Sequence, residues 1–275
     1  PGMNRIGPIG YLSYLVDFQT LKLIAQVGRS VNSPCRAPDG ALPSSWYVAA
    51  YPDLMRCKQS SKSQVIFMQQ SSGINGASLV DPALRAMFEA RKRVFVDLLG
   101  WDVPVLDGTF EIDQFDTPSA AYLVLTGENC EHRASARLLR SDGPHILRDL
   151  FPQLCTGPVP QDEAFREITR FCIDPTLPRA DRRGVRNQLV SALADFAISE
   201  GISGYSAVAP VPWFRQIAQF GWRCQQLGPC VPIDGQQLVA LRIDIDQDTR
   251  AQLANAGIYC RNPKPEAYGG MELAA

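Results

Sequence analysis

The sequence predicts a three-layer α/β/α domain with a mixed central sheet. Two observations carry that expectation. Short apolar runs with strand alternation recur along the chain, separated by stretches with an apolar stripe at helical spacing. Their order reads strand, helix, three or more strands, helix, strand, helix, strand, which interleaves helices with one sheet. A chain of 275 residues with 45% hydrophobic content is long enough to bury a sizeable core.

Residues 1–62 carry Pro, Gly and Ser clusters and no sustained periodicity, and read as a poorly ordered or non-native extension, with Met55 or Met68 as alternative starts. The domain spans 63–249. Val65–Met68 is its first strand. Asp81-Pro82 opens a helix, with a capping acid and proline at the first helical position. That helix runs to Leu99 and stops at Gly100, its stripe formed by Leu84, Met87, Phe88, Val94, Phe95 and Leu98. Arg91, four residues before Phe95, lies on or beside the same face and breaks the stripe. A loop with Trp101, Pro104 and the turn Asp107-Gly108 follows. Ala120–Leu125 and Arg133–Leu139 read as neighbouring strands, Ile146–Leu154 as a short helix and Phe165–Ile173 as a strand. Gly184–Glu200 is an amphipathic helix closed by Gly201. Tyr205–Ala209, Pro212–Phe220 and Leu238–Ile245 are strand, helix and strand. After Thr249 the pattern is lost, and 250–275 reads as a tail.

Composition excludes several classes. A net charge of −1 offers no global attraction to nucleic acid, and no run is long and clean enough to cross a bilayer. Eight cysteines without a C-x-x-C pair, and only two histidines, His132 and His145, argue against a metal site. The cysteines read as reduced thiols of a cytoplasmic protein. Phosphate loops and a G-x-S-x-G elbow are absent, and a cysteine nucleophile lacks a histidine nearby in sequence. Arg182-Arg183-Gly184-Val185-Arg186 suits a phosphate at a helix start, or is a solvated basic turn.

The polar residues then converge. Asp113 and Asp116 face the same way only in a turn or helix, where they could pair with Arg91 or Arg137. Arg137 lies in a strand among small apolar residues, so it faces a cleft or pairs with an acid. Strict alternation puts Glu167 and Arg170 on opposite faces, so either a bulge lies between them or they do separate jobs.

R-x-x-x-F-x-x-x-x-x-W (Arg91, Phe95, Trp101), EIDQFD (Glu111–Asp116), SARLL (Ser135–Leu139) and EITRF (Glu167–Phe171) follow one another in order and approximate spacing. Over residues 65–245 they resemble the acyl-homoserine-lactone synthases of bacterial quorum sensing. The resemblance implies an acetyltransferase-like fold and an enzyme that joins S-adenosylmethionine to an acyl thioester, carried on acyl carrier protein or coenzyme A. The amine attacks the thioester, and the carboxylate then closes the lactone and expels methylthioadenosine. S-Adenosylmethionine is a substrate, and no cofactor is implied. Glu167 becomes the candidate general base, with Arg170 beside it. Arg91, Phe95, Trp101, Asp113, Asp116 and Arg137 become the S-adenosylmethionine site. Phe151, Thr169, Ala207, Ala209 and Trp213 line the acyl-chain pocket. Neither Ala207 nor Ala209 offers a hydroxyl, which favours unsubstituted or 3-hydroxy chains. Arg179, Arg182, Arg183 and Arg186 form the carrier-docking surface, on a monomer or weak dimer. A coenzyme-A-dependent N-acyltransferase acting on another amine, and a non-catalytic ligand-binding domain, stay open beside this reading. Against the coenzyme A loop of acetyltransferases, Gly184 fits while Asp181 and Arg186 depart from the pattern.

Overall fold

The structure is a computed structural model that describes residues 64–69, 81–233, 235–261 and 266–267. Strand β1 (Gln64–Gln69) is followed by helix α1 (Pro82–Arg91), which continues as a π-helical segment, Lys92–Leu98. Asp81 caps α1, its carboxylate accepting from the amides of Ala83 and Leu84 at 2.9 and 3.0 Å. The widened turn shows in the Leu99 amide, which donates to the Val94 carbonyl five residues back.

Strands β2 (Val105–Leu106) and β3 (Phe110–Glu111) form a small hairpin. Its turn puts Asp107 at φ 50° and Gly108 at φ 65°, the left-handed pair that an Asp-Gly hairpin turn requires. Next come β4 (Ala121–Thr126), β5 (His132–Arg140), α2 (Ile146–Asp149), β6 (Phe165–Ile173), α3 (Arg179–Ser199), β7 (Gly204–Pro210) and α4 (Val211–Ala218). The chain continues through β8 (Arg223–Gln226), β9 (Val231–Ile233), β10 (Gln236–Asp244), α5 (Thr249–Asn255) and β11 (Glu266–Ala267).

The main sheet runs β11-β1-β4-β5-β6-β7-β10-β8, with β9 also on β10. Its pairings are antiparallel except β1–β11 and β6–β7. Alternation along the strands divides the core between the two faces. Leu123, Leu125, Ala136 and Leu138 pack with α3, α4 and α5, while Tyr122, Val124 and Leu139 pack with α1 and α2. Every residue of β4 is buried, as expected for a central strand covered on both sides.

Several expectations are corrected. Helix α3 begins at Arg179, five residues before Gly184, behind Pro178 as cap. The Arg182–Arg186 run is therefore inside the helix rather than at its opening turn. The pattern lost after Thr249 resumes as α5, whose Leu253 is buried with Ile258 in the α3 core. The Tyr259 hydroxyl donates to Asp195, and the Cys260 amide donates to Ser191 Oγ. Cys130 is disulfide-bonded, contrary to the all-thiol reading, whereas Cys155, Cys172, Cys224, Cys230 and Cys260 are free. Val65 and Ile66 are buried in the sheet, so a start at Met68 would remove core. The readings for residues 1–62 and for 268–275 lie outside the described residues. No helix among the described residues is long and apolar enough to cross a membrane.

Candidate active site

The arginine that breaks the helical stripe is the first member of a buried ion network. Arg91 closes α1 with its side chain pointing into the protein. Its Nε donates to Glu111 Oε2 at 2.5 Å, and Nη1 and Nη2 donate to the two oxygens of Asp116 at 2.8 Å each. Arg137, on β5, donates to Asp113 at 2.6 and 3.1 Å and to Thr169 Oγ1 at 2.9 Å, and its Nη1 lies 2.8 Å from Asp116. Arg170, on β6, completes the set through Glu111 at 2.9 Å and Asp113 at 2.6 Å.

The network therefore holds the arginines Arg91, Arg137 and Arg170 against the carboxylates Glu111, Asp113 and Asp116, and the charges balance. Such closure is what makes a buried ionic group tolerable. Burial works against ionisation of Asp116, yet the guanidiniums of Arg137 and Arg91 hold its pKa well below the usual carboxylate range. Glu111 and Asp113 are lowered as well, burial again opposing and the arginines prevailing. The Tyr122 hydroxyl donates to Asp116 at 2.9 Å, and burial pushes that phenol strongly upward.

The question of how Glu167 and Arg170 share a site has a structural answer. Ser135 pairs with Cys172 and Arg137 pairs with Thr169, so Ala136 alone opposes Arg170 and Phe171. This is a β-bulge, and Arg170 takes φ 49° within it. The extra residue turns Arg170 onto the face of Arg137 and Thr169. On the same side, Glu167 is fully buried and accepts from the amides of Ile146 and Leu147 at 2.7 and 2.8 Å, closing the N-terminus of α2. Burial pushes its carboxyl up to about 8, against the two amides and Arg137, which favour the ionised form.

Strands β6 and β7 pair only at Phe165–Gly204, Arg166–Tyr205 and Glu167–Ser206. Beyond that last rung they carry no mutual pairing, and a cavity of about 90 Å³ lies at the opening. Phe95, Trp101, Glu167, Thr169 and Arg170 line its polar end, and Ala207, Ala209, Trp213 and Phe220 lie on its apolar walls. Phe95 and Trp101 stack with centroids 4.6 Å apart, and Arg170 Cζ lies 5.4 and 5.2 Å from their rings. At the other end Trp213 meets Phe171 at 5.8 Å and Phe220 at 6.2 Å.

Of the residues singled out from sequence, Phe95, Trp101, Glu167, Arg170, Thr169, Ala207, Ala209 and Trp213 are thus brought to one cavity. Arg91, Asp113, Asp116 and Arg137 stand behind it in the ion network rather than on its wall. Phe151 does not reach it: the side chain is packed with Ile146, Leu147 and Leu154 on the α2 side of the sheet. Arg182 turns back to donate to the carbonyls of Leu177 and Pro175, and Arg186 bonds to Asn187 and covers the Phe220 ring. Only Arg179 and Arg183 of the basic run are exposed. Sequence reasoning missed Glu111, although its place two residues before Asp113 in an extended segment puts both carboxylates on one side. It also missed Tyr122, for which strand alternation alone gave no sign. A histidine does approach a cysteine in space, His132 Nε2 lying 3.8 Å from Cys172 Sγ. Burial, however, pushes that thiol up to about 11, which withholds the thiolate.

Known proteins are similar to this chain in sequence and in fold. The autoinducer synthase family matches residues 77–253. An acyl-homoserine-lactone synthase of Ralstonia nicotianae is 32% identical over 189 residues, covering 66% of this chain and 92% of the relative. The crystal structure of TofI in a ternary complex with an inhibitor and MTA superposes with a TM-score of 0.57 at 29% identity, covering 70% of this chain and 96% of TofI. The structure of BjaI, a CoA-dependent acyl-homoserine lactone synthase with SAM and isopentyl-CoA, shares the fold with a TM-score of 0.63 at 22% identity, covering 74% and 95%.

Proposed function

The chain belongs to the autoinducer synthase family, and from that premise we propose that it makes an acyl-homoserine lactone at the cavity between β6 and β7, acylating the amine of S-adenosylmethionine and releasing methylthioadenosine on ring closure. The observation that carries the proposal is the buried Glu167 carboxyl on the wall of the same cavity that Ala207, Ala209, Trp213 and Phe220 line. An α-amine has a pKa of about 8, and burial brings the Glu167 carboxyl to about 8 as well. A carboxyl raised in this direction takes a proton from an amine more readily than an ordinary carboxylate does, as a general base requires. The same wall brings amine and thioester together, and that positioning contributes more than the base does.

The ion network acts from behind as a frame. It fixes Arg170 and, through Glu111, Asp113 and Asp116, the segment 101–119 that carries Trp101. The acyl chain would extend among Ala207, Ala209, Trp213 and Phe220. With no hydroxyl at Ala207 or Ala209, unsubstituted or 3-hydroxy chains fit this wall. S-Adenosylmethionine is consumed as a substrate, and the reaction asks for no separate cofactor. For the donor we favour acyl carrier protein, docked on the exposed Arg179 and Arg183. Arg182 is spent on backbone carbonyls, which weakens the α3 start as a holder of coenzyme A phosphates. The test is mass spectrometry of ether-soluble products and of methylthioadenosine, with each donor and with S-adenosylmethionine present or omitted. Lactone and methylthioadenosine should form in equal amounts and only with both substrates. Acylation of another amine without methylthioadenosine would refute the proposal.

A further inference from the structure

Each turnover has a proton to dispose of. At neutral pH the α-amine of S-adenosylmethionine is largely an ammonium, and turning it into an amide nitrogen releases two protons. One balances the thiolate that leaves the acyl donor, and the other must reach solvent. Glu167 receives a proton as the base, yet it is fully buried, with its two oxygens on the amides of Ile146 and Leu147. Substrate in the cavity closes its remaining side.

The sheet offers a way out behind it. Glu167 on β6 pairs with Ser206 on β7, and Ser206 pairs with Arg242 on β10. Paired residues of neighbouring strands point to the same face, so the three side chains form one row across two strand spacings, about 10 Å. The row runs from buried to open. Glu167 and Ser206 are 0% and 1% exposed, and the Arg242 side chain is 38% exposed. Arg242 is held there by Asp244 at 2.6 Å and by the Phe165 ring, 4.9 Å from its Cζ. Ser206 stands in the middle, on the last rung before β6 and β7 part, and its Oγ meets no hydrogen-bond partner. A buried hydroxyl in that state costs stability, which alanine at the same place would not.

We infer that Ser206 is a positioning residue that leads the proton away from Glu167: its hydroxyl and the Glu167 carboxyl hold one buried water between them, and the proton passes along this row to solvent at Arg242. A water there has the carboxyl, the hydroxyl and the guanidinium as partners, as many as a buried water commonly takes. A hydroxyl both accepts and donates, so a proton arriving on one side releases another on the other, and Ser206 ends each turnover unchanged. The charged groups that act on Glu167 are Arg137 from β5 and Asp149 from α2. Neither is on the row, since Arg137 pairs with Thr169 two residues further along β6. This inference rests on the lactone-synthase reading above.

Ser206→Ala removes the hydroxyl and Ser206→Thr keeps it. Methylthioadenosine release by the full chain is followed at saturating S-adenosylmethionine and acyl donor, in ordinary and in heavy water. Ser206→Ala should lower kcat about tenfold, with both KM values held within about twofold. Its solvent isotope effect should rise as proton release becomes limiting, and its melting temperature should stay equal or increase, because an unpaired hydroxyl is gone. Ser206→Thr should keep most of kcat. An unchanged kcat in Ser206→Ala, a lower kcat with an unchanged isotope effect, or a folded threonine variant as slow as the alanine one overturns the inference. A lowered melt or failure to fold in Ser206→Ala makes the hydroxyl structural and overturns it as well. If the wild type releases no methylthioadenosine, the lactone-synthase reading itself fails and takes this inference with it, a result distinct from the others.

Discussion

Replacing Asp116 by asparagine tests whether the buried charges hold the frame of the site. Its carboxylate accepts from Arg91 Nη1 and Nη2 at 2.8 Å, from the Asp113 amide at 2.8 Å and from the Tyr122 hydroxyl at 2.9 Å, with Arg137 Nη1 2.8 Å away. Asparagine keeps the shape but accepts at one atom only. Whichever way the amide turns, its NH₂ faces an N–H donor. The substitution also leaves one unbalanced positive charge among Arg91 and Arg137, which are 1% and 0% exposed. Removing one partner of a buried ion pair costs about 3–5 kcal/mol, a large share of the roughly 5–15 kcal/mol that holds a domain together. In urea the midpoint should fall by about 1–3 M at unchanged slope. A paired Asp116→Asn/Arg91→Gln variant, which restores neutrality, should lose less than the sum of its single changes. Acid unfolding carries the same signature. The carboxyls of Glu111, Asp113 and Asp116 are depressed in the folded state. Their stabilisation is therefore complete above about pH 4–5, their range in the unfolded chain, and is lost as pH falls through the folded values. Asp116→Asn should flatten that acid limb. A loss below about 1 kcal/mol, the size of a solvated surface pair, would refute the argument.

Other outcomes follow from the remaining side chains. Because Glu167 is raised to about 8, its basic form appears as pH rises, so kcat should climb through about pH 8. Glu167→Gln should be slower by about a hundredfold or more across the profile; a variant as fast as the wild type at saturating substrates would exclude Glu167 as the base. Charge reversal at Arg179 and Arg183, both exposed, should raise KM for acyl carrier protein and leave acyl-coenzyme A kinetics unchanged; equal effects on both donors would remove the docking role. Phe220 lies between Trp213 and Trp222 at the apolar end of the cavity. Phe220→Ala should shift products, read by mass spectrometry, towards longer acyl chains, and an unchanged distribution would show that the pocket ends elsewhere.

The parts of the fold legible in the sequence are those where one period dominates. The α1 stripe from Leu84 to Phe95, the Asp81-Pro82 start, the Asp107-Gly108 turn and the apolar strands could be read because local chemistry and final packing agree, whereas Leu98, the last member of the expected stripe, is exposed and Leu99 is buried in its place. The misses have particular causes. The bulge at Arg170 changes the count by one residue, and alternation has no means of announcing such an insertion. The π-turn after Arg91 likewise widens a helix whose stripe looks continuous. Arg179–Arg183 was placed before α3 because Gly184 suggested a boundary, whereas a helix this well buried on one face tolerates glycine in its second turn. Helix α5 is short, and its burial comes from Leu253 and Ile258 meeting α3, a contact between segments far apart in the chain. Phe151 was placed in the acyl pocket by the resemblance, yet the turn after α2 packs it with Ile146, Leu147 and Leu154, away from the cavity wall.

The site was legible as a set of residues but not as a division of labour. Motif spacing marks which charges belong together, and it cannot say which of them face a ligand. Burial and partner count separate them. Arg91, Arg137, Asp113 and Asp116 spend their charge on one another, so any effect of substituting them reaches catalysis through the position of Trp101 and Arg170. Well-packed apolar residues could match such a network for stability, but they would not hold a guanidinium over the Trp101 ring. The two kinds of residue should therefore differ experimentally. Asp116→Asn should lower the melting temperature and weaken S-adenosylmethionine binding together. Trp101→Phe should leave the melt nearly unchanged and weaken binding alone. A frame variant that weakened binding without lowering the melt, or a Trp101 variant that lowered both, would reverse the division.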